Sequence, residues 1–317
     1  MKKDFLTFSE LTPADVKSIL GLAGRLKSQR DRGLGSAVLG GRSVALIFEK
    51  PSTRTRVSFQ VAVSELGGYP VSLSASELQL GRGETIEDTA RVLSRYVHCV
   101  MARVNRHGDL ERLAEASRVP VINGLSDLYH PVQVLADLLT LMEHKGRLKG
   151  LKVAWVGDGD NVCNSWAIAA ALTGIEFVAA TPKGYEPNKG ALATASKLAR
   201  GTTADIRLVS DPVEAVSHAD CVITDTFVSM GFEAEGRRRK KAFIPKYQVT
   251  EQLMSKAKKD AIFQHCLPAH RGEEVTAEVI DGPQSVVFDE AENRLHTTKA
   301  LLCYLMLGRA EYSALTP

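Results

Sequence analysis

Short apolar runs alternate along this chain with longer stretches in which apolar residues recur every three or four positions. The runs are typical of buried strands, and the stretches are typical of helices that cover a sheet. In the first third of the chain the predicted strands are Val44–Phe48, Val71–Leu73, Cys99–Val104 and Val119–Asn123, and the predicted helices are 56–66, 85–95 and 109–116. This order indicates a parallel sheet flanked by helices.

A polar segment around 148–152 follows a long predicted helix, 131–144, and marks a domain junction. Beyond it the alternation resumes, with strands predicted near 153–157, 175–180, 206–209, 221–225, 261–264 and 285–288. We expect an α/β fold of two doubly wound domains, each a parallel sheet flanked by helices. The predicted domains are residues 1–145, completed by a C-terminal helix over 295–317 that packs back on them, and residues 146–294.

Length and composition narrow the class of protein. The 317 residues, 44% apolar and 24% charged, are enough for two domain cores. No run of about 18 uncharged apolar residues and no apolar signal peptide is found, so we expect a cytoplasmic protein that does not bind membranes. Five cysteines without CxxC spacing argue against a disulfide framework or a structural zinc site. A net charge of +3 does not indicate nucleic-acid binding, and the basic run 237–241 is predicted to be a solvated loop.

The most specific local pattern is Ser52-Thr53-Arg54-Thr55-Arg56, which follows the strand Val44–Phe48 where the next helix is predicted to begin. The free N–H groups of a helix's first turn and the positive end of its dipole favour an anion. Arg54 or Arg56 can add bidentate, charge-assisted hydrogen bonds. A serine–threonine pair alone would be read as a helix cap, but with two arginines after a buried strand it indicates a phosphate site.

Other residues able to bind or activate a ligand come at the ends of predicted strands or just after them. Ligands bind at that edge of open parallel sheets. The residues are Arg103, His130 with Gln133, Asp225, and Cys266 with Leu267. Taken singly, His130 is more often a core or helix-start histidine and Cys266 more often inert packing. Their shared location at strand ends favours a catalytic site.

Seven sequence blocks, in order from residue 48 to residue 294, resemble the aspartate/ornithine carbamoyltransferase family, and most closely its ornithine type. They are Phe48-Glu49-Lys50 with Ser52–Arg56, Gln79–Glu84, Met101-Ala102-Arg103, His130–Gln133, Asp225 with Ser229-Met230-Gly231, His265–Pro268, and Glu292-Asn293-Arg294. This colinear set covers nearly the whole chain, so a chance match is negligible.

The resemblance implies a site for carbamoyl phosphate in the first domain. Its phosphate would be held by Ser52, Thr53, Arg54 and Thr55, with Arg103 bridging phosphate and carbonyl. The residues implied around the carbamoyl group are His130, Gln133, Cys266, Leu267 and Arg294. Gln79 would come from a neighbouring subunit, so the resemblance implies a homotrimer with active sites shared between subunits.

The resemblance also implies the acceptor, L-ornithine. Asn161 with the backbone of Ser229 and Met230 would bind its α-carboxylate, and Asp225 its α-ammonium. The δ-amine would attack the carbonyl carbon to give L-citrulline and phosphate in arginine metabolism. The implied catalytic residues are Arg103, His130, Asp225 and Cys266. No metal and no organic cofactor are expected, and the expected ligands are the two small substrates.

Three alternatives stay open on sequence grounds. Gly157-Asp158-Gly159 after a strand suggests a nicotinamide-dependent oxidoreductase, but Val162 stands where that fingerprint needs glycine. A carbamoyltransferase for aspartate, putrescine or an N-acylated ornithine is a second alternative, although the aspartate type has proline where Cys266 stands. The third is a catalytically silent binding module on the same fold.

Two positions depart from the family pattern. The family often has asparagine where Asp160 stands and a polar residue where Phe232 stands. Both are expected to flank the acceptor pocket, so they bear on acceptor affinity more than on the chemistry.

Overall fold

The computed structural model describes residues 3–74, 78, 83–229 and 233–316. Gln79 and Met230, both predicted to contact ligand, lie outside these ranges, as does Phe232. The chain forms two compact units, one of Met1–Leu139 with Glu292–Pro317 and one of Thr140–Ala291. Among the described residues, no helix is both long and apolar enough to cross a membrane.

Strands and helices alternate along both units. The strands are β1 (Ser43–Phe48), β2 (Tyr69–Ser74), β3 (Cys99–Arg103), β4 (Val121–Leu125), β5 (Lys152–Val156), β6 (Glu176–Ala180), β7 (Asp205–Val209), β8 (Cys221–Thr224) and β9 (Ile262–His265). The helices are α1 (Pro13–Asp31), α2 (Thr53–Glu65), α3 (Ile86–Leu93), α4 (His107–Ala116), α5 (Pro131–Lys145), α6 (Asn161–Thr173), α7 (Lys189–Ala199), α8 (Pro212–Val216), α9 (Gly236–Phe243), α10 (Glu251–Met254), α11 (Ala277–Ile280), α12 (Val287–Met306) and α13 (Arg309–Leu315).

The sheet of the first unit is parallel, with strand order β2-β1-β3-β4. The two inner strands are buried almost throughout, which explains their unbroken apolar sequences. Phe48 pairs with Arg103, so β1 and β3 end side by side, and the Glu49 N–H donates to the Arg103 carbonyl at 2.9 Å. The segment that leads from β1 to α2 therefore starts beside Arg103.

The pairing of β3 with β4 has a register shift at the end of β3. Ala102 pairs with Asn123 and Arg103 with Leu125, which leaves Gly124 as the extra residue of β4. A Cβ at this glycine would overlap the sulfur of Met101. Such bulges reorient a side chain at the end of a strand. Gly124 thus helps to set the position of Arg103.

The sheet of the second unit is also parallel, with order β7-β6-β5-β8-β9. From β5 the chain runs outward to β6 and β7 and then returns to the other side of β5 as β8. The order therefore reverses between β5 and β8, the point at which open α/β sheets bind ligands. The Thr224 hydroxyl donates to the Val156 carbonyl at 2.6 Å and ties the two strand ends together. Asn161 and Asp225 follow these two strands.

The glycines after β5 have structural roles. Gly157 has φ of 139°, and a Cβ at Gly159 would overlap the backbone of Glu186 and Pro187. Their presence is explained by the turn and by close packing. They therefore do not indicate a dinucleotide site.

Three local predictions were wrong. The basic run 237–241 is part of helix α9, and its Arg239 is buried. The segment predicted as a strand near 285–288 forms one isolated bridge, between Ser285 and Phe263, before α12 begins at Val287. The single C-terminal helix predicted over 295–317 is α12 and α13, which are separated at Leu307-Gly308.

Candidate active site

The predicted phosphate turn is the first turn of α2. Ser52 caps the helix, and its Oγ accepts a hydrogen bond from the Thr55 N–H at 3.2 Å. Thr53 is the first helical residue, and Arg54 beside it is half-buried. The first N–H groups of a helix have no partner within it, and the helix dipole favours negative charge there. The Ser52 cap is therefore compatible with the anion site predicted at this turn.

The two arginines of this turn differ in their surroundings. The guanidinium of Arg56 lies 4.6 Å from the centre of the Phe48 ring, at cation–π distance. Arg54 instead acts electrostatically on His130. Of the two, Arg54 is therefore the one that belongs to the cluster described next.

His130 lies among three arginines. It directly precedes α5 and is buried, with 5% of its surface exposed. Burial, followed by the positive charges of Arg294, Arg103 and Arg54, holds the pKa of His130 well below its usual value. The imidazole is therefore neutral at physiological pH, while the arginines keep their charge. This cluster offers a dianion several positive charges and one neutral hydrogen-bonding ring.

Arg294 connects three helices of the first unit. The guanidinium, on α12, donates to Gln133 Oε1 on α5 and, at 3.2 Å, to Thr55 Oγ1 on α2. Gln133 in turn donates from Nε2 to Asp137 Oδ1 at 2.8 Å. All four side chains are buried. Because Arg294 occupies an oxygen lone pair of Thr55, the Thr55 hydroxyl retains its proton for another acceptor.

The second unit places its predicted residues after β5, β8 and β9. Asn161 begins α6, and Ser229 is half-buried in the segment after β8. The carboxylate of Asp225 accepts at Oδ1 from the Thr226 N–H at 2.7 Å and from the Cys266 thiol at 3.0 Å. Burial, and then the charge of Asp225, raises the pKa of Cys266 well above its usual value. Cys266 is thus a protonated thiol that donates, and its thiolate form is disfavoured.

The turn after β9 is held by buried ionisable groups. Leu267 has a positive φ of 55°, unusual for a branched side chain, and its N–H donates to His265 Nδ1 at 2.9 Å. The other ring nitrogen of His265 contacts Glu274 at 3.2 Å, and its backbone N–H donates to Glu290 at 2.9 Å. Non-glycine residues held at positive φ occur often at functional sites. Cys266 is presented from this turn.

Sequence reasoning missed two charged residues near Asp225. Arg239 of α9 donates to the Asp158 carboxylate and, at 2.6 Å, to the Phe227 carbonyl, and both ionised side chains are buried. Burial, opposed by Arg239, raises the pKa of Asp158 to about 6. One signal was present in the sequence: Arg239 stands four positions before the apolar Phe243, on the same helix face.

Each unit therefore gathers one set of the predicted residues. The first unit holds Ser52, Thr53, Arg54, Thr55, Arg103, His130, Gln133 and Arg294. The second holds Asn161, Asp225, Ser229, Cys266 and Leu267. The first set is cationic and suits a phosphorylated ligand, whereas the second combines a carboxylate, an amide, a hydroxyl and a thiol.

Comparison with known proteins matches both parts of the chain. Residues 3–143 match the family model for the carbamoyl-P binding domain of aspartate/ornithine carbamoyltransferases, and residues 149–305 match its Asp/Orn binding domain. The ornithine carbamoyltransferase of Carboxydothermus hydrogenoformans is 55% identical over 304 residues, 96% of this chain and 97% of that protein. The enzyme of that name from Archaeoglobus fulgidus is 53% identical over 309 residues, 98% and 99% of the two chains.

The similarity extends to solved structures. The ornithine carbamoyltransferase from Pyrococcus furiosus superposes with a TM-score of 0.93 at 51% identity, covering 96% of this chain and 97% of that chain. The chain belongs to the aspartate/ornithine carbamoyltransferase family, and the predicted α/β fold is confirmed. The named relatives are ornithine carbamoyltransferases, and the nicotinamide-dependent alternative finds no support among them.

Proposed function

We propose that this protein transfers the carbamoyl group of carbamoyl phosphate to the δ-amine of L-ornithine, giving L-citrulline and phosphate. One observation carries the proposal: buried, neutral His130 lies among buried Arg103 and Arg294 and half-buried Arg54, and most of this cluster is in the residues that match a carbamoyl-P binding domain. The named relatives support ornithine as the acceptor. We assign carbamoyl phosphate to the first unit, Met1–Leu139 with Glu292–Pro317, and ornithine to the second unit, Thr140–Ala291.

The phosphate dianion would bind at the first turn of α2. Ser52, Thr53 and Thr55 supply hydroxyl and N–H groups there, and the remaining contacts come from Arg54 and Arg103. Charge-assisted bonds of this kind are about twice as strong as neutral ones. Arg103 stands beside the segment that leads into α2, so one guanidinium can contact both the phosphate and the carbonyl oxygen.

Attack on the carbonyl carbon creates an oxyanion. We assign the donors to this oxyanion as neutral His130, charged Arg103 and the Thr55 hydroxyl. Arg294 donates to both Gln133 and Thr55. We assign contacts with the carbamoyl group to Arg294 and Gln133, and also to Cys266 and Leu267. Such preorganised donors stabilise developing charge because they need not reorganise during the reaction.

The acceptor must react as a free amine. A lysine-like amine has a pKa of about 10.4, so about one molecule in 2,500 is neutral at pH 7, a cost of roughly 4.6 kcal/mol. When the new C–N bond forms, the C–O bond to phosphate breaks, and the amine proton ends on phosphate as HPO₄²⁻. The positive charges of the arginine cluster disfavour the protonated form of a nearby δ-amine.

The α-carboxylate and α-ammonium groups of the acceptor would bind in the second unit. We place the α-carboxylate on Asn161 and on the backbone of Ser229 and Met230, and the α-ammonium on Asp225. The thiol of Cys266 donates to Asp225 and so sets which oxygen of that carboxylate faces the ligand. We also propose a cytoplasmic location, since all five cysteines are free thiols, which reducing compartments maintain.

A panel of acceptors tests the function. With carbamoyl phosphate and equal concentrations of ornithine, N-acetylornithine, putrescine, lysine and aspartate, we expect ornithine to have the highest kcat/KM. Putrescine lacks the carboxylate and N-acetylornithine the α-ammonium, so each leaves buried polar groups unpaired and should react about 10³-fold less efficiently. Measurement of the carbamoylated products decides between acceptors. A higher kcat/KM with N-acetylornithine or putrescine than with ornithine would show that ornithine is not the preferred acceptor.

We further propose a homotrimer in which Gln79 of one subunit completes the site of the next. Exposed apolar side chains on the first unit support an interface: Tyr69 and Tyr96 are 71% and 73% exposed. Light scattering should then give three times the chain mass of 34.4 kDa.

Mixing two inactive variants tests the sharing. Arg103→Ala and Gln79→Ala, dissociated together and reassembled at equal amounts, should regain about a quarter of wild-type activity, because one site in four combines both intact residues. Arg103→Ala reassembled alone is the control. No recovery in mixed trimers would show that each subunit uses its own Gln79.

A further inference from the structure

Asp160 has an unusual environment for a helix cap. It precedes α6, and its Oδ1 accepts from the N–H groups of Val162 at 2.9 Å and Cys163 at 3.1 Å. Its second oxygen, Oδ2, is buried, and no described group donates a hydrogen bond to it. A buried carboxylate oxygen with no donor is costly. A proton on this oxygen would remove the cost if a nearby acceptor could receive it.

Asp225 is that neighbouring acceptor. Asp225 follows β8 and Asp160 follows β5, on the two sides of the point where the strand order reverses, and the negative charge of Asp225 acts on Asp160. The Thr226 N–H and the Cys266 thiol both donate to Oδ1 of Asp225. Burial and a neighbouring negative charge both favour the protonated form of a carboxyl group, so a proton on Asp160 can be donated to Asp225.

Among the residues that the structure describes, the other ionisable groups around Asp160 and Asp225 do not supply a compensating cation. Asp158 is a third carboxyl group, and its partner Arg239 is occupied by it and by the Phe227 carbonyl. Burial raises the pKa of the Cys163 and Cys266 thiols well above the usual value, so both thiols are neutral. The backbone N–H of Cys163 is one of the two donors to Asp160. Burial, with the charges of Asp225 and Asp158, likewise raises the pKa of Asp160 well above its usual value.

We propose that Asp160 is a specificity-determining residue for the acceptor: it forms a carboxyl pair with Asp225 that holds one proton in the empty site and releases it when an α-ammonium group binds. This inference rests on the proposed placement of the acceptor's α-ammonium on Asp225. The exchange is balanced, since the site gains one cationic group and loses one proton to solvent. An acceptor with a free α-ammonium group then binds beside two carboxylates, Asp160 and Asp225. An N-acylated amine has no such cation, so Asp160 keeps its proton.

The sign of the pH dependence follows from this exchange. A bound cation lowers the pKa of Asp160, so binding releases its proton and becomes tighter as the pH rises toward the pKa of Asp160 in the empty site. An asparagine at 160 would keep the helix cap through its Oδ1 and donate permanently to Asp225 through its amide. That variant would bind the ligand with no linked proton.

L-Norvaline is a suitable probe, because it has the α-ammonium, α-carboxylate and side-chain length of ornithine without the δ-amine. Its inhibition constant against ornithine would be measured between pH 6 and 8 with carbamoyl phosphate saturating. For the wild-type protein we expect the constant to fall about tenfold over this range, and for Asp160→Asn to change less than about twofold. Calorimetry at pH 6 in two buffers of different ionisation enthalpy should show most of one proton released by the wild type and close to none by Asp160→Asn.

Asp211→Asn is the matched control. Asp211 caps α8 in the same manner, accepting from the Val213 N–H at 3.1 Å, and is exposed. It should keep the wild-type pH dependence. Asp160→Ser, which retains a capping oxygen and removes the carboxyl group, serves as the second variant, with circular dichroism to verify that each protein is folded.

The outcomes separate the two proposals. An Asp160→Asn protein with the wild-type pH slope and proton release would overturn the role of Asp160. Failure of norvaline to bind the wild type, or equal binding to Asp225→Asn, would instead overturn the acceptor site itself. A flat response in both Asp160 variants, with Asp211→Asn unchanged, is the expected result.

Discussion

Replacing Arg103 with alanine is expected to lower kcat about 10²- to 10³-fold, the usual cost of losing one donor to a developing oxyanion. Arg103 is 9% exposed and acts on His130 together with Arg54 and Arg294. Its backbone pairs with Phe48 whatever side chain it carries, so β3 should form normally. Steady-state kinetics for carbamoyl phosphate at saturating ornithine measure the effect.

Arg106→Ala is the matched control for this prediction. Arg106 lies three residues further on, is 73% exposed in its side chain, and pairs with Asp109 at 2.8 Å. Its loss should leave kcat within about twofold of wild type, because exposed ion pairs contribute little. Arg103→Lys should remain well below wild type, since an ammonium cannot bridge two oxygens as a planar guanidinium does. A turnover near that of wild type in Arg103→Ala would refute the role assigned to this residue.

Replacing Arg239 with alanine is expected to destabilise the second unit by about 3–5 kcal/mol, the typical cost of leaving a buried charge without its partner. The substitution leaves the Asp158 carboxylate without a cation and the Phe227 carbonyl without its donor. It also removes the guanidinium that lies 5.1 Å from the centre of the Tyr185 ring. Urea denaturation followed by tryptophan fluorescence reports on this unit, because both tryptophans, Trp155 and Trp166, are buried within it.

Arg271→Ala provides the comparison. Arg271 pairs with Asp281 at 2.6 Å, but both side chains are about half exposed, at 48% and 51%. Its removal should cost about 0–1 kcal/mol. In the double variant Arg239→Ala/Asp158→Asn, part of the lost stability should return, since no buried carboxylate remains. A loss below about 1 kcal/mol for Arg239→Ala would mean that the buried pair is not a net stabilising contact.

Two of the wrong predictions have identifiable causes. The run at 237–241 contains five cations, so its pattern is that of a solvated segment, and burial of Arg239 is made favourable by Asp158, 81 positions away, and by the Phe227 carbonyl. The apolar run Val286-Val287-Phe288 is too short for periodicity to distinguish a strand from the start of a helix.

The unbroken apolar runs of β1, β3, β5 and β8 were enough to predict two parallel sheets, because strands covered on both faces leave that signature in sequence. The proximity of Ser52, Arg54 and Thr55 was also predictable, since the three residues lie within one helical turn. Only the tertiary structure decided which distant groups meet: Arg294 contacts Thr55 across 239 positions and Gln133 across 161, and Asp225 meets Cys266 across 41. Periodicity reports which face of an element is buried and not what covers it. The neutral state of His130 and the proton proposed between Asp160 and Asp225 depend on that covering, because burial and neighbouring charge set each pKa.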